Sequence, residues 1–239
     1  PVAIRDGALV CRHTEEVSRS IDGRWVLFVD ADRRVNIIGL GDSAPATHFA
    51  ELPGDAPESG WLRPIFVDGG SALVVHPSGF SAAVEFVDSG DLIAARISSF
   101  GRIDGEIIGE PLVLDGHAWL SVRGFGCRLL DLATLQPAGE VALSSPPTTS
   151  PTAGGTVCVG LQNGSIASIA RDLPPKVVSE VSLGSSPIDS LVWTGRPGWW
   201  IATDASTLFT IDIQQARIEA QPLASPVAVP PLVHSGAAD

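Results

Sequence analysis

Gly154-Gly155-Thr156-Val157-Cys158-Val159-Gly160-Leu161-Gln162-Asn163-Gly164-Ser165-Ile166-Ala167-Ser168-Ile169-Ala170 is the stretch from which the fold can be read. Two short apolar runs, Val157–Leu161 and Ser165–Ala170, flank Gln162-Asn163-Gly164. Asn-Gly between such runs predicts a β-hairpin, because both residues tolerate the positive φ of a type I′ turn. The first run is apolar at almost every position, whereas a strand solvated on one face would alternate. Burial on both faces is therefore expected.

The same layout recurs four more times. Gly23-Arg24-Trp25-Val26-Leu27-Phe28-Val29 turns through Asp30–Arg34 into Val35–Leu40, and a third strand ends at Phe49-Ala50-Glu51-Leu52. Near Gly70, Ala72-Leu73-Val74-Val75 turns at His76-Pro77-Ser78-Gly79 into Phe80–Phe86. Gly116-His117-Ala118-Trp119-Leu120-Ser121-Val122 turns into Arg128–Leu132, and Gly198-Trp199-Trp200-Ile201-Ala202-Thr203 turns at Asp204-Ala205-Ser206 into Thr207–Ile213. The opening glycines at 23, 70, 116, 154 and 198 are spaced by 47, 46, 38 and 44 residues. Intervals of about 40 to 45 residues are those of a propeller blade. Proline-rich connectors separate the units, among them Pro111, Pro146-Pro147, Pro187 and Pro230-Pro231. Proline ends one edge strand without removing a needed ladder bond.

The expected architecture is all-β, a β-propeller in a single domain spanning 1–239. Its blades are expected over 23–52, 65–100, 111–143, 151–183 and 187–224. A composite sixth blade would join 1–21 to 226–239, which closes the ring and removes exposed sheet edges. Seven blades, or a piece of a larger array, are the alternatives. No segment reads as a helix.

The run Ser150-Pro151-Thr152-Ala153-Gly154-Gly155-Thr156-Val157 through Ile166, with Leu130-Asp131-Leu132 as a strand stop, resembles the pyrroloquinoline-quinone-like and YVTN-type, WD40-like, β-propeller repeats. The resemblance spans about 170 residues and implies the fold; propellers host many unrelated activities. No quinone is expected, because the adjacent-cysteine pair of quinoprotein dehydrogenases is absent and no cofactor-binding residues can be recognised.

Composition narrows the function further. Twenty-seven acidic residues face 15 basic ones, Lys176 being the only lysine, for a net charge of −12. Nucleic acid is excluded as a partner, since phosphate binding needs a clustered basic footprint. No apolar run approaches the ~18 residues of a membrane span. Cys11, Cys127 and Cys158 form neither a CxxC motif nor a disulfide framework, and Cys158 between two valines reads as a buried, inert thiol. A reducing, cytoplasmic setting of bacterial type is the expectation.

Candidate chemistry is sparse. No GxSxG elbow, HExxH or EF-hand loop occurs, so neither a catalytic residue nor a metal ligand is assigned. Asp30-Ala31-Asp32 and Asp88-Ser89-Gly90-Asp91 read as polar turns, and His76 and His117 as turn histidines. Trp25, Trp119 and Trp199 or Trp200 recur on the same strand of their units and read as packing between blades. Trp61 and Trp193 stand outside that pattern and are the expected partner-contact residues, because an exposed aromatic often anchors an interface. The functional expectation is a non-catalytic protein-interaction, sensor or scaffold propeller, with a protein partner of basic character or further domains of the same polypeptide. The alternative is a propeller enzyme or small-ligand binder of glycosidase, lactonase or quinoprotein type, working in the central channel.

Overall fold

The structure, a computed structural model, describes residues 2–5, 8–11, 16–20, 22–40, 47–88, 93–213, 215 and 217–224. Among them are 22 strands and no helix. Strands β1 (Val2–Arg5) and β2 (Ala8–Cys11) pair with each other. The rest form five four-stranded antiparallel sheets in simple up-and-down order.

The first sheet holds β3 (Ser18–Arg19), β4 (Trp25–Val29), β5 (Arg34–Gly39) and β6 (Thr47–Glu51). The second holds β7 (Ile65–Phe66), β8 (Ser71–Val75), β9 (Phe80–Asp88) and β10 (Ile93–Arg102). The third holds β11 (Ile107–Leu114), β12 (His117–Val122), β13 (Gly126–Asp131) and β14 (Pro137–Ala142). The fourth holds β15 (Thr152–Ala153), β16 (Val157–Gly160), β17 (Ser165–Ile169) and β18 (Val177–Ser182). The fifth holds β19 (Ser190–Trp193), β20 (Trp199–Thr203), β21 (Thr207–Asp212) and β22 (Arg217–Pro222).

Each apolar run expected to open a unit is the second strand of its sheet. The strand before it is often only two residues long, too short to leave a periodic signature. Two expected boundaries differ: Ser18–Arg19, expected within the composite blade, pairs with Val26 and Leu27 and opens the first sheet, and the third sheet begins at Ile107, so that Pro111, expected as a connector, lies within β11 where the register shifts. The Ser20 carbonyl accepts the Gly23 N–H and the Ser20 N–H donates to Trp25 O, a tight turn that uses Gly23 at φ +71°. The other half of the composite blade, 226–239, lies outside the described residues.

The chain divides into two compact units, Pro1–Asp104 with Leu132–Gln136, and Gly105–Asp131 with Pro137–Asp239. In the second unit, Val157, Val159, Leu161, Ala167 and Ile169 of the fourth sheet share a core with Trp119, Cys127, Leu129 and Val141 of the third. From the opposite face of the fourth sheet, Cys158 and Ile166 pack with Leu191, Trp200, Ala202, Phe209 and Ile211 of the fifth. Alternate side chains of one strand thus enter two different cores, which is why the sequence does not alternate. Each such fully buried aliphatic side chain contributes about 1.5–3 kcal/mol. The first unit repeats the arrangement, with Leu27, Val29, Val35 and Ile37 facing Ala72, Val74, Phe80, Ala82 and Val84.

A backbone bond recurs in every sheet. The first residue past the fourth strand, Leu52, Ile103, Leu143, Leu183 or Leu223, donates its N–H to the turn between the second and third strands, at the carbonyl of Arg33, Gly79, Phe125, Gly164 or Ser206 respectively. Three of those acceptors, Arg33 (φ 62°), Gly79 (φ 89°) and Gly164 (φ 79°), are left-handed. The Asn163-Gly164 turn therefore differs from the expected type I′. The Leu161 carbonyl accepts the Gly164 N–H at 3.1 Å and Leu161 N donates to Ser165 O at 2.9 Å, with Gly164 alone of the pair at positive φ. This is a type I turn completed by a left-handed residue, the geometry of a three-residue hairpin loop. It aims the Gly164 carbonyl at Leu183.

A Cβ on Gly164 would lie 2.6 Å from Gly184 O and 2.8 Å from Ser186 O, whereas one on left-handed Gly155 would meet nothing within 4 Å. Gly155→Ala should cost about 1–2 kcal/mol from backbone strain alone, and Gly164→Ala about 3 kcal/mol or more once overpacking is added. Urea unfolding of the two variants measures this, and equal costs would refute the close approach.

Candidate functional site

Trp61 is not an exposed rim residue. It is 9% exposed and belongs to the core of the first unit. Its ring meets His76 and Phe80 edge-on, at centroid distances of 5.4 and 5.7 Å, and its Nε1–H donates to Pro57 O at 3.2 Å. The loop 53–61 folds back because Arg33 donates from Nη1 to Gly54 O and Ala56 N donates to Pro53 O. An aromatic outside the repeat pattern can still fill a gap under a loop. Trp193 is half-buried: its indole lies against Gly154, where a Cβ would come within 2.5 Å of the ring, and its Nε1–H donates to Arg196 O at 3.0 Å. Trp119 and Trp200 are buried at 2% and 1%, and Trp25 is half-buried beside Gly39.

The other polar candidates are held inside their own turns. Asp30 accepts the Asp32 and Arg34 N–H groups through Oδ1 and the Asn36 amide through Oδ2, so its oxygens close a turn. His76 bonds Ser78 Oγ and Ser59 O through its two ring nitrogens, each at 2.9 Å, and His117 Nδ1 lies 2.8 Å from Asp115 O. The Asp88-Ser89-Gly90-Asp91 turn falls largely outside the described residues. Among the described residues no three His, Cys, Asp or Glu side chains cluster as metal ligands, and no helix is long and apolar enough to cross a membrane.

Cys127 and Cys158 are buried free thiols. Burial pushes the Cys127 thiol up to about 12 against a partial pull from Ser121, and raises Cys158 likewise despite Ser168 and Thr156. Neither is poised as a nucleophile.

What sequence reading did not single out is a small cavity in the first unit. Ser20, Asp22, Trp25, Phe66, Asp68 and Gly69 line about 240 Å³ where the turn joining β3 to β4 meets the turn joining β7 to β8. Asp22 accepts Ser20 Oγ at 2.6 Å and the Arg24 N–H and Nε, and these bonds hold its carboxyl well below the usual carboxylate range. Asp68 Oδ1 accepts the Gly70 N–H at 2.7 Å and Ser71 Oγ at 2.9 Å. A signal was present: of the five Asp-Gly pairs in the sequence, those at 22–23, 68–69 and 115–116 lie in the turn between the first and second strands of a four-stranded sheet. An Asp-Gly turn is so common that it points to no ligand by itself.

The chain is similar in structure to Sqt1 of Saccharomyces cerevisiae, with a TM-score of 0.69 at 12% identity, over 92% of this chain and 66% of that one. It is also similar to BamB from Moraxella catarrhalis, with a TM-score of 0.56 at 15% identity, over 85% of this chain and 62% of that one. The fold is a β-propeller. The chain spans just under two thirds of the length of each of these structures. No family model matches it, and neither does any curated protein. At such identities the likeness concerns the fold alone.

Two outcomes are expected of the buried groups. Trp61→Ala should lower unfolding stability by about 3–5 kcal/mol, as for a core aromatic; an interface anchor would leave urea unfolding of the isolated protein unchanged. Because the Cys127 thiol is raised in the folded state, its contribution is complete below the ordinary value near 9.0 and is lost as pH climbs from there toward 12. The chain has no tyrosine and one lysine, so few other groups titrate in that window. Stability measured from pH 8 to 11 should fall less steeply in Cys127→Val than in the wild type.

Proposed function

We propose that this propeller is a protein-interaction module whose partner is basic. The observation that carries the reading is a net charge of −12 on a chain built of four-stranded sheets. Rigid sheets present turns in fixed positions, and a fixed acidic surface attracts a basic partner at long range without an ordering cost on binding.

The described acidic groups lie mostly at the surface, paired loosely with arginines. Arg96 bonds exposed Glu85, Arg123 bonds exposed Glu106, and Arg217 bonds exposed Glu219. Exposed pairs of this kind add about 0–1 kcal/mol each to stability. Their value is as a field. With 12 more acids than bases, the arginines and the one lysine cannot neutralise every carboxylate.

Electrostatic attraction of this kind acts on encounter more than on dissociation. For a partner purified from the source organism, the association rate should fall at least about tenfold between 50 and 500 mM salt, with a smaller change in the dissociation rate. Stopped-flow or surface-binding kinetics measures both. An association rate indifferent to salt would overturn the electrostatic reading.

A further inference from the structure

We propose that the cavity between Trp25 and Phe66 receives the guanidinium of an arginine side chain from the partner protein, with Asp68 as its carboxylate. The inference rests on the interaction reading above and names the contact that reading leaves open.

The comparison among the three Asp-Gly turns carries it. In the first sheet Asp22 holds Arg24 of its own turn, Nε to Oδ2 at 2.6 Å. In the third sheet Asp115 holds Arg171, which reaches it from the turn after β17, with Nε at 3.0 Å and Nη2 at 2.8 Å from the same Oδ2. In the second sheet Asp68 uses Oδ1 for its own turn, and Oδ2 has no partner among the described residues. Two of these equivalent carboxylates are thus met by an arginine of this chain. The third, exposed Asp68, meets none among the described residues, and it lines the same cavity as Asp22.

The walls of that cavity suit the same group. Trp25 and Phe66 are half-buried, and both line it. Phe66 is braced by Phe86, ring centroids 6.2 Å apart, and the Trp25 ring lies where a Gly39 Cβ would sit 2.9 Å from it. An aromatic face beside a carboxylate attracts a cation, and a planar guanidinium can stack on the ring while it bonds the carboxylate edge. This chain already stacks arginines on rings, Arg34 over Phe49 at 4.7 Å and Arg196 over Trp199 at 5.0 Å. At about 240 Å³ the cavity is smaller than the ~300–1,000 Å³ usual for a small-molecule site. It matches one side chain.

The test is a titration of the ¹⁵N-labelled protein with two capped tripeptides, acetyl-Gly-Arg-Gly-amide and its citrulline counterpart, which has the same shape and no charge. The arginine peptide should shift the Trp25 indole N–H and the Asp68, Gly69 and Gly70 amides in a saturable way. The citrulline peptide should bind at least about tenfold more weakly, in line with the loss of a charge-assisted contact. Asp68→Asn keeps the Oδ1 acceptor of its turn and therefore the fold; it should weaken the arginine peptide at least about fivefold. Equal binding of the two peptides, no effect of Asp68→Asn, or shifts confined to other residues would overturn the site. The two proposals separate cleanly with the purified partner. Unchanged partner affinity in Asp68→Asn with a salt-sensitive association rate removes the site and leaves the interaction reading. Loss of affinity in Asp68→Asn with a salt-insensitive rate does the reverse.

Discussion

A β-sheet whose two middle strands are apolar on both faces cannot be stable alone in water, and everything else in this protein follows from that. β16 sends Val157 and Val159 into one core and Cys158 into another. β4 does the same, with Leu27 and Val29 on one side and Val26 and Phe28 on the other. A sheet of this kind needs apolar cover on both faces, which stacking supplies within each unit. Only the outer strands escape the requirement. All six residues of β22 are exposed, and it carries Arg217, Glu219 and Pro222, the residue types that discourage pairing with a further strand.

Stacking demands that each sheet keep a constant width, and the recurrent bond from the residue past the fourth strand supplies this. Leu143, Leu183 and Leu223 recur at intervals of 40 residues, and each donates to the turn of its own sheet. The bond ties the outer strand to a turn formed by the inner ones. It uses only backbone atoms, so the residue identities at the turn are free to vary: Arg33, Gly79, Phe125, Gly164 and Ser206 all serve. Freedom of this sort is where function can enter. The strands are committed to packing, whereas the turns need only a few polar atoms to close, and Asp68 closes its turn with one oxygen while the other meets no partner among the described residues.

Much of the fold was legible because burial on two faces writes itself into composition. Runs such as Val26–Val29 or Val157–Val159 carry no polar residue, and glycines mark the turns between them. The short first strands were not legible, since Ile65–Phe66 and Thr152–Ala153 have two residues each and no period. The burial of Trp61 was not legible for a related reason. Position relative to a repeat says whether a residue is needed by the sheet, not whether a loop folds over it. Burial of Trp61 depends on the return of 53–61 onto Phe80 and His76. The cavity at Asp68 was equally hidden, because its walls come from two sheets about 45 residues apart in sequence and no local pattern joins Trp25 to Phe66.

By itself, then, the sequence determined the repeat, the class of fold and the acidic field, all of which are sums over local composition and so need no knowledge of distance. Tertiary structure alone decided which aromatic is core and which lines a cavity, which aspartates meet an arginine among the described residues, and why Gly164 is left-handed while Asn163 is not. Most of these are questions of proximity between segments far apart in the chain. A carboxylate looks the same in sequence whatever its second oxygen meets, and only the fold brings Arg171 to Asp115 and sets Asp22 and Asp68 beside two rings.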